Sequence, residues 1–194
     1  MAYCTNTLVK TYLAISGSGD DALLTSLIAR AQAAIDRHCG RTFEAAADTT
    51  RKFTVGDDTD QEMLYLDEDL CAITTVTTDA DGDADVLTVN TDYVTVPRNT
   101  TPYYALKILG DSSYSWTYTT NPENGITVLG RWAWSTAPPD DIVHACVRLA
   151  AYYYQQKDAQ VFDTIAVPDA GVITIPAGIP ADVKLILMPF RKYA

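Results

Sequence analysis

Between Asp20 and Phe43 the residues DDALLTSLIARAQAAIDRHCGRTF leave the backbone few alternatives. Leu23, Leu24, Leu27, Ile28, Ala31, Ala34 and Ile35 recur at steps of three and four, which lines them up as one apolar stripe on a helix. Asp20 is the candidate N-cap, and Asp21 adds negative charge where the helix dipole favours it. Gly40 stands where a left-handed residue would close the helix, with Arg37 and His38 in its last turn. At 1.5 Å per residue, a helix from Asp21 to Cys39 is roughly 28 Å long. That is enough to brace a small domain.

After Phe43 the apolar period changes from 3.6 to 2. Runs rich in Thr, Val, Ile and Tyr follow, divided by Asp, Gly, Asn and Pro. Strands are expected at Lys52–Val55, Met63–Leu66, Ile73–Thr78, Val86–Val89, Tyr93–Val96, Tyr103–Leu109 and Ile126–Trp132. Their short connections favour antiparallel pairing. This block also carries the chain's charge. The net charge is −11, and twelve acidic residues lie between Phe53 and Pro97, a stretch without Lys or Arg. The rest holds 13 acidic against 14 basic residues, so no basic DNA-gripping surface is supported. Asp79, Asp81, Asp83 and Asp85 invite a calcium-loop reading. The twelfth position from Asp79 is Asn90 rather than Glu, and both flanks read as strands. A hairpin turn rich in Asp and Gly accounts for the same residues and is preferred.

Helical period returns at Pro138-Pro139-Asp140-Asp141, an N-terminal signature. Ile142, Cys146, Leu149 and Tyr153 then form one stripe of a second long helix, about Asp140–Lys157, the natural packing partner of the first. Tyr152, Tyr153 and Tyr154 cannot all face one core, so at least one reaches another element or a neighbouring subunit. Val161–Ile175 reads as two short strands around Asp169-Ala170-Gly171, either a hairpin on its own domain or an intersubunit arm. Pro180 opens a last helix, Ala181–Met188, which Pro189 stops. Near the N-terminus, Thr7–Ala14 reads as a short helix with Leu8, Tyr12 and Leu13 on one side, followed by the break ISGSG.

At 47% hydrophobic and 20% charged residues the chain is globular, with one core or one core plus a large insertion. The four cysteines match no metal-ligand spacing, and free, mostly buried thiols are expected. MAYCTNTLVK lacks the pattern of a secretory leader, and no run approaches the ~18 apolar residues of a membrane span. Ser16 and Ser18 lack the glycines two residues away on either side that a nucleophile elbow needs. With only His38 and His144, both in helices, no catalytic constellation forms, and neither an enzyme nor a cofactor is expected.

These landmarks, taken in order, resemble the tailed-bacteriophage head–tail connector (adaptor) family. The resemblance rests on Tyr12–Ser16 with Asp20–Leu24, on Ile28–Ile35 with the exit Cys39-Gly40-Arg41-Thr42-Phe43, and on Ile73–Val76 and Asp92-Tyr93. It continues through Pro139–Ile142 and through Ile179–Val183 to Pro189-Phe190-Arg191. Together with the residue patterns it gives an α+β fold: an antiparallel pair of long helices, short N- and C-terminal helices, and a large antiparallel β-rich insertion between the long helices. The insertion and the 161–176 hairpin are larger than the family's minimal helical core. The helical core would be 1–43 and 133–194, with a hairpin at 161–176 and a helix at 181–188, and the acidic insertion would be 44–132.

The resemblance further implies a structural virion protein, made in the host cytoplasm and placed in the neck at the portal–tail junction. It would form a ring of typically twelve copies below the portal protein, extend the DNA channel without sequence-specific binding, and present a surface to a downstream stopper, tail-terminator or tail protein. The alternative is a minor capsid or tail-completion protein that binds one partner without a ring. The family's C-terminal segment engages the portal, which suggests Val183, Leu187, Phe190, Arg191, Lys192 and Tyr193 for that contact. Arg30, Arg37, Tyr152 and Tyr154 are candidates for contacts between subunits or with the next component. Phe162, Ile165, Val167, Val172, Ile173 and Ile175 join them as the hairpin's share.

Overall fold

The computed structural model describes residues 2–159, 164–167, 171–174 and 178–192. The chain divides into two compact units, Met1–Gly40 with Pro138–Ala194, and Arg41–Ala137. The fold is α+β, with four α-helices among the described residues and a large antiparallel sheet.

The first unit is helical: α1 (Asn6–Leu13), α2 (Asp21–Cys39), α3 (Asp140–Ala159) and α4 (Ala181–Leu187). α2 buries Leu24, Ile28, Ala31, Ile35 and Cys39, a narrower stripe than the sequence suggests, since Leu23 stays 36% exposed. Gly40 closes the helix in the left-handed region at φ 67°, its N–H bonding the Asp36 carbonyl at 2.8 Å. Asp20 makes no side-chain cap bond, contrary to expectation. Its carboxylate accepts instead from the Tyr154 hydroxyl at 2.5 Å. α3 buries Ile142, Ala145, Cys146, Leu149, Ala150 and Tyr153, and packs against α1, α2 and α4. Its alanines let those backbones come close.

Two expectations about the short helices change. In α1 the buried residue is Val9, fully enclosed, while Leu8 and Tyr12 are 46% and 51% exposed. The helix is apolar on two sides and can bury only one. In α4 the chain does not stop at Pro189 but tightens into a 3₁₀ turn, Met188–Phe190. Lys192 then donates its backbone N–H to the Cys39 carbonyl at 2.8 Å, which ties the tail to the end of α2.

The second unit is a sheet of β1 (Thr49–Phe53), β2 (Thr59–Asp60), β3 (Met63–Thr78), β4 (Asp85–Leu87), β5 (Tyr93–Val96), β6 (Tyr103–Ile108) and β7 (Ile126–Trp132). The order is β1-β7-β3-β6-β5, with β2 and β4 paired to β3, and every pairing is antiparallel. The runs Met63–Leu66 and Ile73–Thr78 are one 16-residue strand rather than two. Asp67-Glu68-Asp69 looks like a turn in sequence, but the ladder crosses it with a register shift between Tyr65 and Leu70. β3 thereby serves β6 through Leu64↔Leu106 and β7 through Val76↔Val128. Phe53, Leu64, Leu70, Val76, Leu106, Ile126, Val128 and Trp132 build the core around it. In β7, Gly130 is required by contact, because a Cβ there would meet the Ala72 carbonyl oxygen at 2.3 Å.

The two ends of this unit are joined to each other. Trp134 N–H bonds the Thr42 carbonyl at 2.9 Å, and Ala45 N–H bonds that of Ser135 at 3.2 Å. Phe43 and Trp134 rings lie 6.4 Å apart. Arg41 sits over the Trp134 ring at 4.8 Å and reaches Asp69 of β3 at 3.3 Å.

A separate hairpin pairs β8 (Thr164–Val167) with β9 (Gly171–Thr174), Ile165 opposite Ile173.

Candidate functional site

The acidic turn has a protein partner. Asp81 accepts backbone N–H bonds from Thr119 at 3.0 Å, Thr120 at 2.8 Å and Asn121 at 2.5 Å. These three donors hold its carboxyl below the usual carboxylate range. Asp79, 9% exposed, accepts from the Thr119 hydroxyl at 2.8 Å and from Asp83 N–H at 3.2 Å. A Cβ at Gly82 would stand 2.2 Å from the Thr119 hydroxyl. The turn is a clamp on the loop 117–121, and Asp79 and Asp81 spend oxygens on it that a cation would need. Asp83 and Asp85 are on the same turn, Asp85 as the first residue of β4. Among the described residues no group of three or more His, Cys, Asp or Glu is arranged to hold a metal ion.

The helical unit presents three distinct surfaces. One is a groove of about 310 Å³ between α1 and α3, lined by Leu8, Thr11, Tyr12, Asp140, Val143, His144 and Val147. A second is the outer face of α4. Ala181, Lys184, Leu185 and Met188 are exposed at helical spacing, Leu185 by 70% and Met188 by 56%. The third is cationic, where α2 ends beside α4. The His38 pKa is lowered, first by burial and then by the positive charges of Arg191 and Lys184.

The structure redistributes the expected contact residues. Val183 and Leu187 are 1% and 0% exposed and hold α4 onto its own unit. The opposite, outer stripe carries Lys184, Leu185 and Met188. Phe190 is half-buried, Arg191 and Lys192 are exposed, and Tyr193 lies outside the described residues. Arg30 and Arg37 are exposed on α2, with the Arg30 guanidinium 4.3 Å from the Tyr153 ring centre. Tyr154 is engaged by Asp20, and the Tyr152 ring lies 5.9 Å from that of Tyr153. Both tyrosines thus make contacts within their own unit and are half-buried. Ile165, Val167, Val172 and Ile173 are strand positions of the hairpin, whereas Phe162 and Ile175 lie outside the described residues.

Sequence reading passed over Leu8, Tyr12, Leu185 and Met188 as surface residues. A signal was present: five of the six residues from Val183 to Met188 are apolar, more than one face of a short helix can bury.

The chain is thus an α+β protein whose helical unit presents exposed apolar and cationic surfaces. A family model described as head completion protein matches residues 3–193. The chain belongs to this family, whose members are structural virion proteins and not enzymes. Among solved structures it is similar to a chain in "Neck of empty GTA particle computed with C6 symmetry", at 18% identity and TM-score 0.61, covering 97% of this chain and 89% of that one. It is similar also to a chain in "Neck of native GTA particle computed with C12 symmetry", at 18% identity and TM-score 0.55, covering 96% and 90%. A third, in "Virion of native gene transfer agent (GTA) particle", has 19% identity and TM-score 0.55, covering 97% and 88%. At these identities the likeness establishes a shared fold. No curated protein matches.

Proposed function

We propose that this chain is a neck protein of a tailed-phage-like particle, forming a closed ring, dodecameric, between the portal and the next neck or tail component. The ring extends the DNA channel. The helical core (1–43 and 133–194), with its two long helices as an antiparallel wedge, makes the ring, and the insertion (44–132) decorates it. The C-terminal segment, with Phe190, Arg191 and Lys192 at its base, meets the portal. A downstream stopper or tail-terminator docks on the opposite side.

The observation that carries this reading is the likeness over nearly the whole chain to chains in necks computed with C6 and C12 symmetry, in a chain of the head completion family. The charge distribution supports it. Arg41–Ala137 holds 16 acidic and 6 basic residues, and such a surface repels passing DNA rather than gripping it. A symmetry-resolved reconstruction of the parent particle tests the proposal. The expected result is a ring of this chain directly below the portal, in a copy number matching the portal's. A position away from that junction, or a single copy bound to one partner, would overturn it.

A further inference from the structure

The helical unit carries two apolar surfaces with exposed residues, Leu8 and Tyr12 on one and Leu185 and Met188 on the other, one concave and one convex. The groove is concave, walled by Leu8 and Tyr12 of α1 at i and i+4 and by Val143 and Val147 of α3 at i and i+4. The outer stripe of α4 is convex, with Leu185 and Met188 one turn apart. α4 is held rigidly from behind by buried Val183 and Leu187 and by the ion pair of Asp182 with Arg148, so presenting the stripe costs no unfolding. The charges match as well. Asp140 lies at the groove and is exposed, and Lys184 lies beside Leu185 and is exposed.

We propose that the α1–α3 groove of one copy receives the α4 stripe of a second copy of this chain, Leu185 and Met188 entering between Tyr12 and Val147, with Lys184 set against Asp140. Groove and stripe belong to different parts of one unit, so the contact is head-to-tail. Each copy keeps a free groove at one end and a free stripe at the other, which is the arrangement that generates rings. An amphipathic helix laid in an apolar groove is a standard recognition mode, read by anchors at such spacing. The inference rests on the ring reading for closure alone; the pairwise contact stands or falls separately.

The test is sedimentation velocity on the full chain at rising concentration, with Tyr12→Glu damaging only the groove and Leu185→Glu only the stripe. Both positions are exposed, and circular dichroism melting should show both variants as stable as wild type. Wild type should associate as concentration rises toward the millimolar range, and each variant alone should lose at least tenfold in association constant. An equimolar mixture of the two should form a dimer and stop there, because one intact groove meets one intact stripe. Asp140→Lys and Lys184→Asp should each weaken association, and the two changes in one chain should recover it. Association of either single variant at wild-type strength, a mixture that stays monomeric, or a wild type that does not associate would each overturn the contact. Rings formed by Leu185→Glu would reject this interface while leaving the ring itself standing. A wild-type ring seen in the neck with α4 elsewhere would do the same.

Discussion

Arg41 opens the second unit immediately after the glycine that caps α2, and its guanidinium lies 3.3 Å from Asp69. Their side chains are 13% and 8% exposed, so neither charge is well solvated. At an effective dielectric of 20, two charges at that distance attract by about 5 kcal/mol. Desolvation offsets most of this, and Arg41 Nε and Asp69 Oδ2 have no hydrogen-bond partner to recover it. Removing one partner is therefore far worse than removing both. Asp69→Leu or Arg41→Met alone should each destabilise by about 3 kcal/mol, since each strands a buried charge. That is a large part of a typical total of about 5–15 kcal/mol. The double variant should be close to wild type or about 1 kcal/mol more stable, giving a coupling of about 3 kcal/mol or more. Urea unfolding followed by tryptophan fluorescence is the assay, because Trp116, Trp132 and Trp134 all lie in this unit. Single variants within about 1 kcal/mol of wild type, or three values that simply add, would refute the reasoning.

Other expectations follow from the same structure. Asp81→Ala should speed amide exchange at Thr119, Thr120 and Asn121 selectively; unchanged protection there would mean the clamp holds nothing. His38 has its folded-state pKa lowered, so the unfolded chain binds its proton more readily. Stability should fall as pH drops below the ordinary histidine value of about 6.5 and level off below the folded pKa, and His38→Gln should flatten that dependence. Cys4, Cys39 and Cys146 are buried and Cys71 is partly accessible, so a thiol reagent should modify Cys71 alone in the native chain and all four after denaturation. A fragment of residues 41–137 should melt cooperatively with β-type circular dichroism, because its ends are bonded to each other and its core is its own.

The helices were legible because their signals are local. The Leu24–Ile35 stripe, the Gly40 closure and the Pro139-Asp140 start lie within one or two turns of what they determine. Tyr93–Val96 and Ile126–Trp132 were equally plain, the latter because burial alternates along all of β7. β3 was misread for a long-range reason. Asp67, Glu68 and Asp69 are tolerable in a strand only because Arg51, from β1, reaches the first two and Arg41 the third. No window of sequence around them contains those arginines. The groove and the stripe were hidden for the opposite reason. Leu8, Tyr12, Leu185 and Met188 look like core residues, and only the fold shows that Val9, Val183 and Leu187 fill the core places instead.

The charge of the second unit bears on how copies can pair. Four of its six basic residues are drawn into ion pairs inside it: Arg41 with Asp69, Arg51 with Asp67 and Glu68, Lys107 with Glu62, and Arg131 with Asp48. Lys52 is bonded to Asn124 at 2.7 Å. All but Arg98 of the cations are thus engaged inside the unit, and the remaining carboxylates dominate the outward field. Two such units facing each other across a two-fold axis would place like charges opposite one another, a cost that grows as salt is lowered. The helical unit, with 9 acidic and 8 basic residues, carries no such penalty. Electrostatics therefore disfavours a symmetric dimer built on the sheets and leaves contact through the helices, where groove and stripe differ and pairing proceeds head to tail. The acidic unit thus works against pairing of copies through the sheets, and a dimer joined that way should weaken further as salt is lowered.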